Sequence, residues 1–126
     1  MKATFPAEAP SAALARRATK QFAADEGADA DTLAAIALCV SEAVTNAVVH
    51  AYREDDEPGS VEVEARRPNG YLCVHVRDQG CGLRSRSDTP GLGLGLPLIS
   101  QTAAELEVRE PADGGTELVM RFDLAA

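Results

Sequence analysis

Tryptophan is absent from this sequence, and phenylalanine (three) and tyrosine (two) supply the only aromatic side chains. A core without large rings must be mostly aliphatic, which suits small alanine-rich helices packed closely on a sheet. Long apolar runs are also missing: none approaches the roughly 20 residues that cross a bilayer. Residues 1–6 do not begin the apolar stretch of a secretory signal. We therefore expect a cytoplasmic protein that is not inserted in a membrane.

Positive charge is scarce as well, since 12 Lys and Arg residues face 20 Asp and Glu residues, a net charge of −8. A surface of that sign repels the phosphates of nucleic acids, and no basic stripe offsets it. The three cysteines, Cys39, Cys73 and Cys81, are odd in number and lack metal-ligand spacing, which argues against a disulfide framework and a zinc site. The length of 126 residues predicts one globular domain, residues 1–126.

Hydrophobic periodicity predicts elements in the order β-α-α-β-β-α-β-β. The strands are expected at residues 2–5, 61–66, 71–78, 108–109 and 116–124, and the helices at residues 11–26, from Asp29 or Asp31 to about residue 51, and from Pro97 onward to Leu106. In the first helix, Leu14, Ala18 and Phe22 form the expected apolar stripe, with Ser11 as the cap. Adjacent hairpins in this order predict an α+β fold, a two-layer sandwich of a mixed sheet with helices on one face.

Two polar residues are predicted to point toward the helix-covered face of the sheet. Leu72, Val74 and Val76 share one face of their strand, and Asp78 has the same parity. Thr116 likewise shares the parity of the apolar residues in the last strand. Burying an unpaired carboxylate is costly, so a donor is expected opposite Asp78. The alternative is that Asp78 caps the following turn and that Thr116 simply begins a strand.

The second helix is predicted to have two distinct faces. One face carries an apolar stripe formed by Ile36, Val40, Val44 and Val48. On roughly the opposite side, Glu42, Asn46 and His50 follow one another at four-residue spacing. A carboxylate and an amide one turn apart suit Mg²⁺ and an activated hydroxyl, because Mg²⁺ takes hard oxygen ligands. An ordinary solvated helix face would explain the same pattern.

Residues 91–97, GLGLGLP, form a glycine-rich segment before the third helix. Glycines let the backbone approach a phosphate closely, and free N–H groups at a helix start attract anions. Pro97 is expected to open that helix. The segment does not fit the dinucleotide fingerprint G-x-G-x-x-G, and the P-loop sequence Gly-Lys-Ser/Thr is absent. Both a nicotinamide enzyme and a Walker ATPase are therefore disfavoured.

Taken in order, these segments resemble the sequence boxes of the GHKL, or Bergerat, ATP-binding fold shared by gyrase, heat-shock chaperones and histidine kinases. Residues 41–52, SEAVTNAVVHAY, are similar to the N box, and residues 78–82, DQGCG, to the first glycine box. Residues 91–96 are similar to the second glycine box, and residues 114–116, GGT, to the closing glycine–threonine element. The pattern is most similar to small bacterial anti-sigma factor serine kinases, over nearly the whole chain.

The resemblance implies a role for each matching residue. Asp78 would accept a hydrogen bond from the adenine amino group of ATP, and Thr116 would support that end of the pocket. Asn46 would coordinate the Mg²⁺ that bridges the phosphates. Glu42 would be the catalytic base toward a serine hydroxyl of an anti-anti-sigma protein. The other residues expected to line the nucleotide are Gly80, Gly82, Gly91, Gly93, Gly95 and Leu96.

Two functions follow from the resemblance. The first is a Mg-ATP-dependent serine kinase that binds a sigma factor and phosphorylates an anti-anti-sigma protein of the STAS type. The alternative is a non-catalytic, nucleotide-gated module that sequesters a partner protein. Glu42 favours the kinase because a pure binder needs no base. Residues 83–90 connect the two glycine boxes, where the best-known kinases of this type have a longer ATP lid, and this short lid favours the module or a slow enzyme. A homodimer is compatible with both.

Two groups of basic residues leave alternatives open. Arg84 and Arg86 in the lid either reach the nucleotide phosphates or lie on a merely solvated loop. Arg16, Arg17 and Lys20 on the first helix resemble the surface where this family meets its partners, but a solvated helix face explains them equally well.

Overall fold

The structure, a computed structural model, describes residues 1–51, 59–79, 92–112 and 114–124. Its elements are β1 (Lys2–Pro6), α1 (Pro10–Asp25), α2 (Ala30–Asn46), a π-helical segment (Ala47–Ala51), β2 (Ser60–Arg66), β3 (Tyr71–Asp78), α3 (Leu92–Thr102), β4 (Glu105–Arg109) and β5 (Thr116–Asp123). This is the predicted order of helices and strands, and the π-helical segment directly continues α2.

The strands form one five-stranded sheet in the order β1-β2-β3-β5-β4. The helices pack on one face of it, so the predicted α+β class is confirmed. The pairings between the described strands are all antiparallel, a more uniform arrangement than the mixed sheet expected. Strand β5 lies between β3 and β4, and it pairs along its whole length with β3.

The core between sheet and helices is mainly aliphatic, in keeping with the shortage of rings. Alternate residues of β2 and β3 are fully buried, as their parity predicts, whereas the residues between them lie on the outer face. The apolar stripe of α2 supplies Ile36, Val40 and Val44, all fully buried. From α3 comes Ile99, and from β5 come Met120 and Phe122.

The face that α1 buries differs from the predicted stripe. Its buried residues are Ser11, Ala15, Thr19 and Ala23. Leu14, expected inside, is 47% exposed, and Ser11 is not the cap, because Ala9 occupies that position. The hydroxyl groups of Ser11 and Thr19 donate to the backbone carbonyl oxygens of Pro6 and Ala15, so their burial leaves no polar group unsatisfied. Small side chains on this face let α1 pack closely against α2.

The helix after the glycine-rich segment begins earlier than predicted. It starts at Leu92, so Pro97 lies inside α3 and does not open it. It also ends at Thr102, and Leu106, expected on the same helix, lies on β4. Glycine and proline are poor helix formers. Packing of α3 against α2, with Ile99 fully buried, accounts for a helix that local propensity disfavours.

The stretch Ala30–Val49 is long and apolar enough to span a bilayer, contrary to the expectation from the sequence. In the fold it is the central helix, which packs against α1 on one side and α3 on another. Its apolar residues Ile36, Val40 and Val44 are buried against the rest of the core. A core helix of this kind passes the same length and composition test. The packing of α2 therefore explains its apolar character.

Candidate functional site

The adjoining ends of β3 and β5 place two polar side chains next to each other on the inner face of the sheet. Asp78 is the last residue of β3, Thr116 is the first of β5, and the two are register partners. Asp78 is 7% exposed and Thr116 is 3% exposed. Both residues therefore point inward, as their parity predicts, into the layer between sheet and helices.

Gly115 fixes the backbone geometry at this point, a role that the sequence analysis did not assign to it. Its φ is +81°, in the left-handed region that favours glycine. A Cβ built there would overlap the backbone oxygen of Asp78 and would lie only 2.9 Å from its carbonyl carbon. Gly114 has a similar φ of +103°, but a Cβ there would meet nothing within 4 Å. Of these two glycines, therefore, Gly115 is the one whose missing side chain lets the ends of β3 and β5 approach each other.

This contrast allows a matched test of the strand-end contact. We expect Gly115→Ala to lower the free energy of unfolding by clearly more than Gly114→Ala does. Both substitutions place alanine at positive φ, at a cost of roughly 1–2 kcal/mol, and only the first also pushes residue 115 away from the backbone of Asp78 and Gln79. Urea denaturation of the two variants measures the difference. Equal losses would show that the approach to Asp78 has no energetic weight.

The other half of the candidate site lies on α2. Glu42 and Asn46 are half-buried, one helical turn apart, and Asn46 is the last residue before the π-helical segment. The side-chain nitrogen of Asn46 is buried and has no hydrogen-bond partner among the described residues. An unpaired buried NH₂ donor costs free energy, and an acceptor such as a phosphate oxygen, not a metal ion, could satisfy it. Its burial argues against the plain solvated helix face, and single-turn π-helices recur at functional sites.

Cys39 lies on α2, three residues before Glu42, and is fully buried. Burial, and secondly the negative charge of Glu42, raise the pKa of the Cys39 thiol to about 11. Cys39 is therefore a protonated, fully buried thiol at neutral pH and takes no part in nucleophilic chemistry.

The elements that carry the predicted site residues are in mutual contact. Helix α2 packs against β3 and β5, the π-helical segment packs against β3, and α3 packs against α2. Gly93 and Gly95 lie in the first turns of α3, and Leu96 is half-buried against the core. The predicted nucleotide residues Gly80, Gly82 and Gly91 lie outside the described residues, as do the lid at residues 83–90 and the side chain of His50.

The described residues show what ligands the protein itself could supply to a metal ion. Within residues 1–51, 59–79, 92–112 and 114–124, no group of three or more His, Cys, Asp or Glu side chains is placed to hold a metal ion. Asn46 has one side-chain oxygen that could be a metal ligand. Mg²⁺ usually keeps several waters and is seldom enclosed by protein alone.

Known protein families and sequences include several that are similar to this chain. Residues 5–122 match the family described as the histidine kinase-like ATPase domain. The chain is 30% identical over 132 residues to the anti-sigma F factor of Clostridium perfringens, covering 96% of this chain and 94% of that protein. It is 29% identical to the anti-sigma F factor of Clostridium beijerinckii, covering 96% and 92%. The sensor histidine kinase PdtaS of Mycolicibacterium smegmatis is 33% identical over 102 residues, which are 76% of this chain but 20% of that protein.

Solved structures share the fold. The crystal structure of the RsbU and RsbW domains of Rv1364c from Mycobacterium tuberculosis superposes with a TM-score of 0.76 at 25% identity. The match covers 100% of this chain and 33% of that one. The histidine kinase domain of the blue-light activated histidine kinase EL346 from Erythrobacter litoralis gives a TM-score of 0.61 at 32% identity, covering 75% and 45%.

Proposed function

Because the chain belongs to the histidine kinase-like ATPase domain family, we propose that it is an anti-sigma factor that binds Mg-ATP and phosphorylates a serine of an anti-anti-sigma protein. The observation that carries this proposal is the buried Asp78–Thr116 pair at the sheet end, together with the unpartnered buried amide of Asn46 on a helix packed against that sheet. Both halves of a nucleotide site are then supplied by elements that contact each other.

The Asp78 end of the site suits adenine. A carboxylate accepts hydrogen bonds, and the exocyclic amino group of adenine donates them. Guanine carries a carbonyl oxygen at the same ring position, which would repel the carboxylate. The hydroxyl of Thr116, opposite Asp78 across the strand pair, both donates and accepts and can support the base. We therefore expect adenine nucleotides to bind in preference to guanine nucleotides.

The α2 end of the site suits phosphate and metal. The side-chain oxygen of Asn46 would be a ligand of Mg²⁺, and the bound ion would neutralise the charge of the nucleotide phosphates. Glu42, one turn before Asn46 and half-buried, would accept the proton of the substrate serine as its oxygen attacks. The free N–H groups at the start of α3 would face phosphate. Phosphoryl transfer requires mainly such positioning and charge neutralisation.

Partner binding is supported by the relatives and by the surface of α1. The relatives named anti-sigma F factor match over 96% of the chain. On α1, Arg16, Arg17 and Lys20 are exposed and line a shallow cavity of about 370 Å³ that ends at Leu33. A basic patch with an apolar edge, on a protein with a net charge of −8, suits an acidic segment of a partner. A sigma factor and an anti-anti-sigma protein of the STAS type are the proposed partners, in the cytoplasm, and a homodimer stays a prediction.

Incubation with ATP labelled on its γ-phosphate and the proteins encoded beside this one tests the proposal. We expect label on a serine of an anti-anti-sigma protein, dependent on Mg²⁺ and lost when EDTA is added. GTP should be a poor donor. If no protein is labelled while ATP and a sigma factor still bind, the non-catalytic switch is the correct function. If ATP does not bind at all, both functions are wrong.

A further inference from the structure

The outer face of the sheet, opposite the helices, holds a hydrogen-bonded chain of a thiol, an imidazole and a carboxylate. The Sγ atom of Cys73 lies 3.4 Å from Nε2 of His75, and Nδ1 of His75 lies 3.1 Å from a carboxylate oxygen of Glu117. His75 is 7% exposed and Glu117 is 8% exposed, whereas Cys73 is half-buried. None of the three takes part in the proposed nucleotide site.

Glu117 determines which nitrogen of His75 carries the proton. Burial favours the neutral carboxyl, but hydrogen bonds from His75 and Arg77 outweigh it and hold the pKa of Glu117 below its ordinary value. A charged Glu117 accepts a hydrogen bond from Nδ1, which leaves the lone pair of Nε2 directed at the Cys73 thiol. The imidazole is therefore oriented to remove the thiol proton.

Charged side chains surround this hydrogen-bonded chain on the outer face of the sheet. Arg77 contacts Glu117 and also donates to Glu62 and Glu64, at 2.7 and 3.0 Å. Arg109 is 3.4 Å from Glu117 and 2.9 Å from Glu107, and Arg66 is 3.4 Å from Glu64. Carboxylates thus outnumber guanidinium groups on this face. Burial raises the pKa of the Cys73 thiol, while Arg66 and Arg109 oppose that effect.

A cavity of about 590 Å³ opens beside the thiol and the imidazole. Its other walls include Met1, Phe22, Arg66 and Arg67. The guanidinium of Arg67 donates to the backbone carbonyls of Glu26 and Asn69, at 2.8 and 3.1 Å, and it has no carboxylate partner among the residues that the structure describes. Two arginines beside apolar walls suit a small organic molecule that carries a carboxylate.

We propose that Cys73 is a thiol-exchange site for small disulfides that carry carboxylates. Nε2 of His75 takes the thiol proton, and the Cys73 sulfur attacks one sulfur of the bound disulfide. A mixed disulfide forms on Cys73 as the original S–S bond breaks. The departing half leaves as a thiolate and receives the proton from His75. One disulfide bond is exchanged for another, so no further oxidant is needed.

Oxidised glutathione, a small disulfide with carboxylates, is the probe for the experiment, with cystamine as the comparison that lacks them. Intact-mass measurements on a Cys81→Ser background would follow addition to the full chain. We expect addition that Cys73→Ser abolishes, with Cys39 unmodified because it is fully buried. Arg66→Gln should slow the reaction with glutathione disulfide more than the reaction with cystamine, because both reactions lose a charge that favours the thiolate but only the first loses a partner for its carboxylates.

The role of His75 has its own measurement. His75→Asn should slow the addition by about 10²-fold, in the range for loss of a general base. The difference between the variant and the wild type should be largest near neutral pH, where the thiol carries its proton, and should shrink at high pH, where the thiol ionises without a base. Labelling of Cys73 at an unchanged rate and pH profile in His75→Asn would overturn the proposal. So would an unreactive Cys73 in the folded wild-type protein.

Discussion

Replacing Glu42 by glutamine should lower phosphate transfer to the anti-anti-sigma protein by a factor of about 10²–10⁴, with ATP affinity nearly unchanged. Glutamine keeps the size and hydrogen-bonding reach of the side chain but cannot accept the serine proton. If Glu42 is the base, as proposed, the loss falls on the chemical step. Single-turnover transfer and calorimetry with ATP separate these two effects.

Asp31→Asn is the matched control for this variant. It makes the same carboxylate-to-amide change on the same helix, but at an exposed position in the first turn. Transfer should survive in the control, with at most a small loss of helix stability. If the Glu42→Gln variant transferred phosphate at the wild-type rate, another group would be the base. Loss of ATP binding together with transfer would place Glu42 in nucleotide binding instead.

Asp78→Asn should weaken ATP binding by about 1–3 kcal/mol, which corresponds to about 5- to 150-fold in affinity. Asp78 is 7% exposed, so the amide that replaces it cannot turn to water to satisfy its donors. Because the repulsion toward the guanine carbonyl disappears with the negative charge, discrimination against GTP should shrink in the same variant. Calorimetry with ATP and GTP in the presence of Mg²⁺ measures both effects.

Asp123→Asn provides the control, because Asp123 lies on β5 at the opposite, exposed end of the same strand pair. It pairs with Arg121 on the surface, at 2.8 Å, so its replacement should leave nucleotide affinity unchanged. Equal wild-type affinity for ATP and GTP, unaffected by Asp78→Asn, would contradict the assignment of Asp78 to the adenine.

Strand positions in this chain could be predicted well from sequence because a strand has only two faces. Once Leu72, Val74 and Val76 are assigned to the core, the parity rule leaves a single face for Asp78, and the structure places it there. The same reasoning placed Thr116 inward. The order of helices and strands followed from the changes in hydrophobic period along the chain, between about 3.6 residues in a helix and about 2 in a strand.

Helix faces were harder to predict, and α1 shows why. Ser11 and Thr19 count as surface residues by type, but their hydroxyl groups are satisfied by carbonyl oxygens within the fold. No pattern of residue types reveals that Pro6 is the acceptor for Ser11. The start of α3 was missed for a related reason, since its packing against α2 overrides the local cost of glycine and proline.

The finest details of the site depend on contacts between distant parts of the chain. The need for glycine at position 115 arises only when β5 pairs with β3 and brings Asp78 against it. The buried amide of Asn46 likewise depends on how α2 is set against its neighbours. The glycine–threonine motif indicated where such a contact belongs, but its physical reason required the register of the strands.

The register between β3 and β5 determines which side chains lie opposite each other on both faces of the sheet. Arg77 and Glu117 are register partners and form an ion pair on the outer face, and the adjacent pair, Asp78 and Thr116, points inward. If β5 slid past β3 by one residue, each side chain would change faces, and the outer ion pair would break as the inner pair separated. The ion pair between Arg77 and Glu117 thus stabilises the register that also places Asp78 opposite Thr116. The charges of the outer face thereby help to keep Asp78 and Thr116 opposite each other on the inner face.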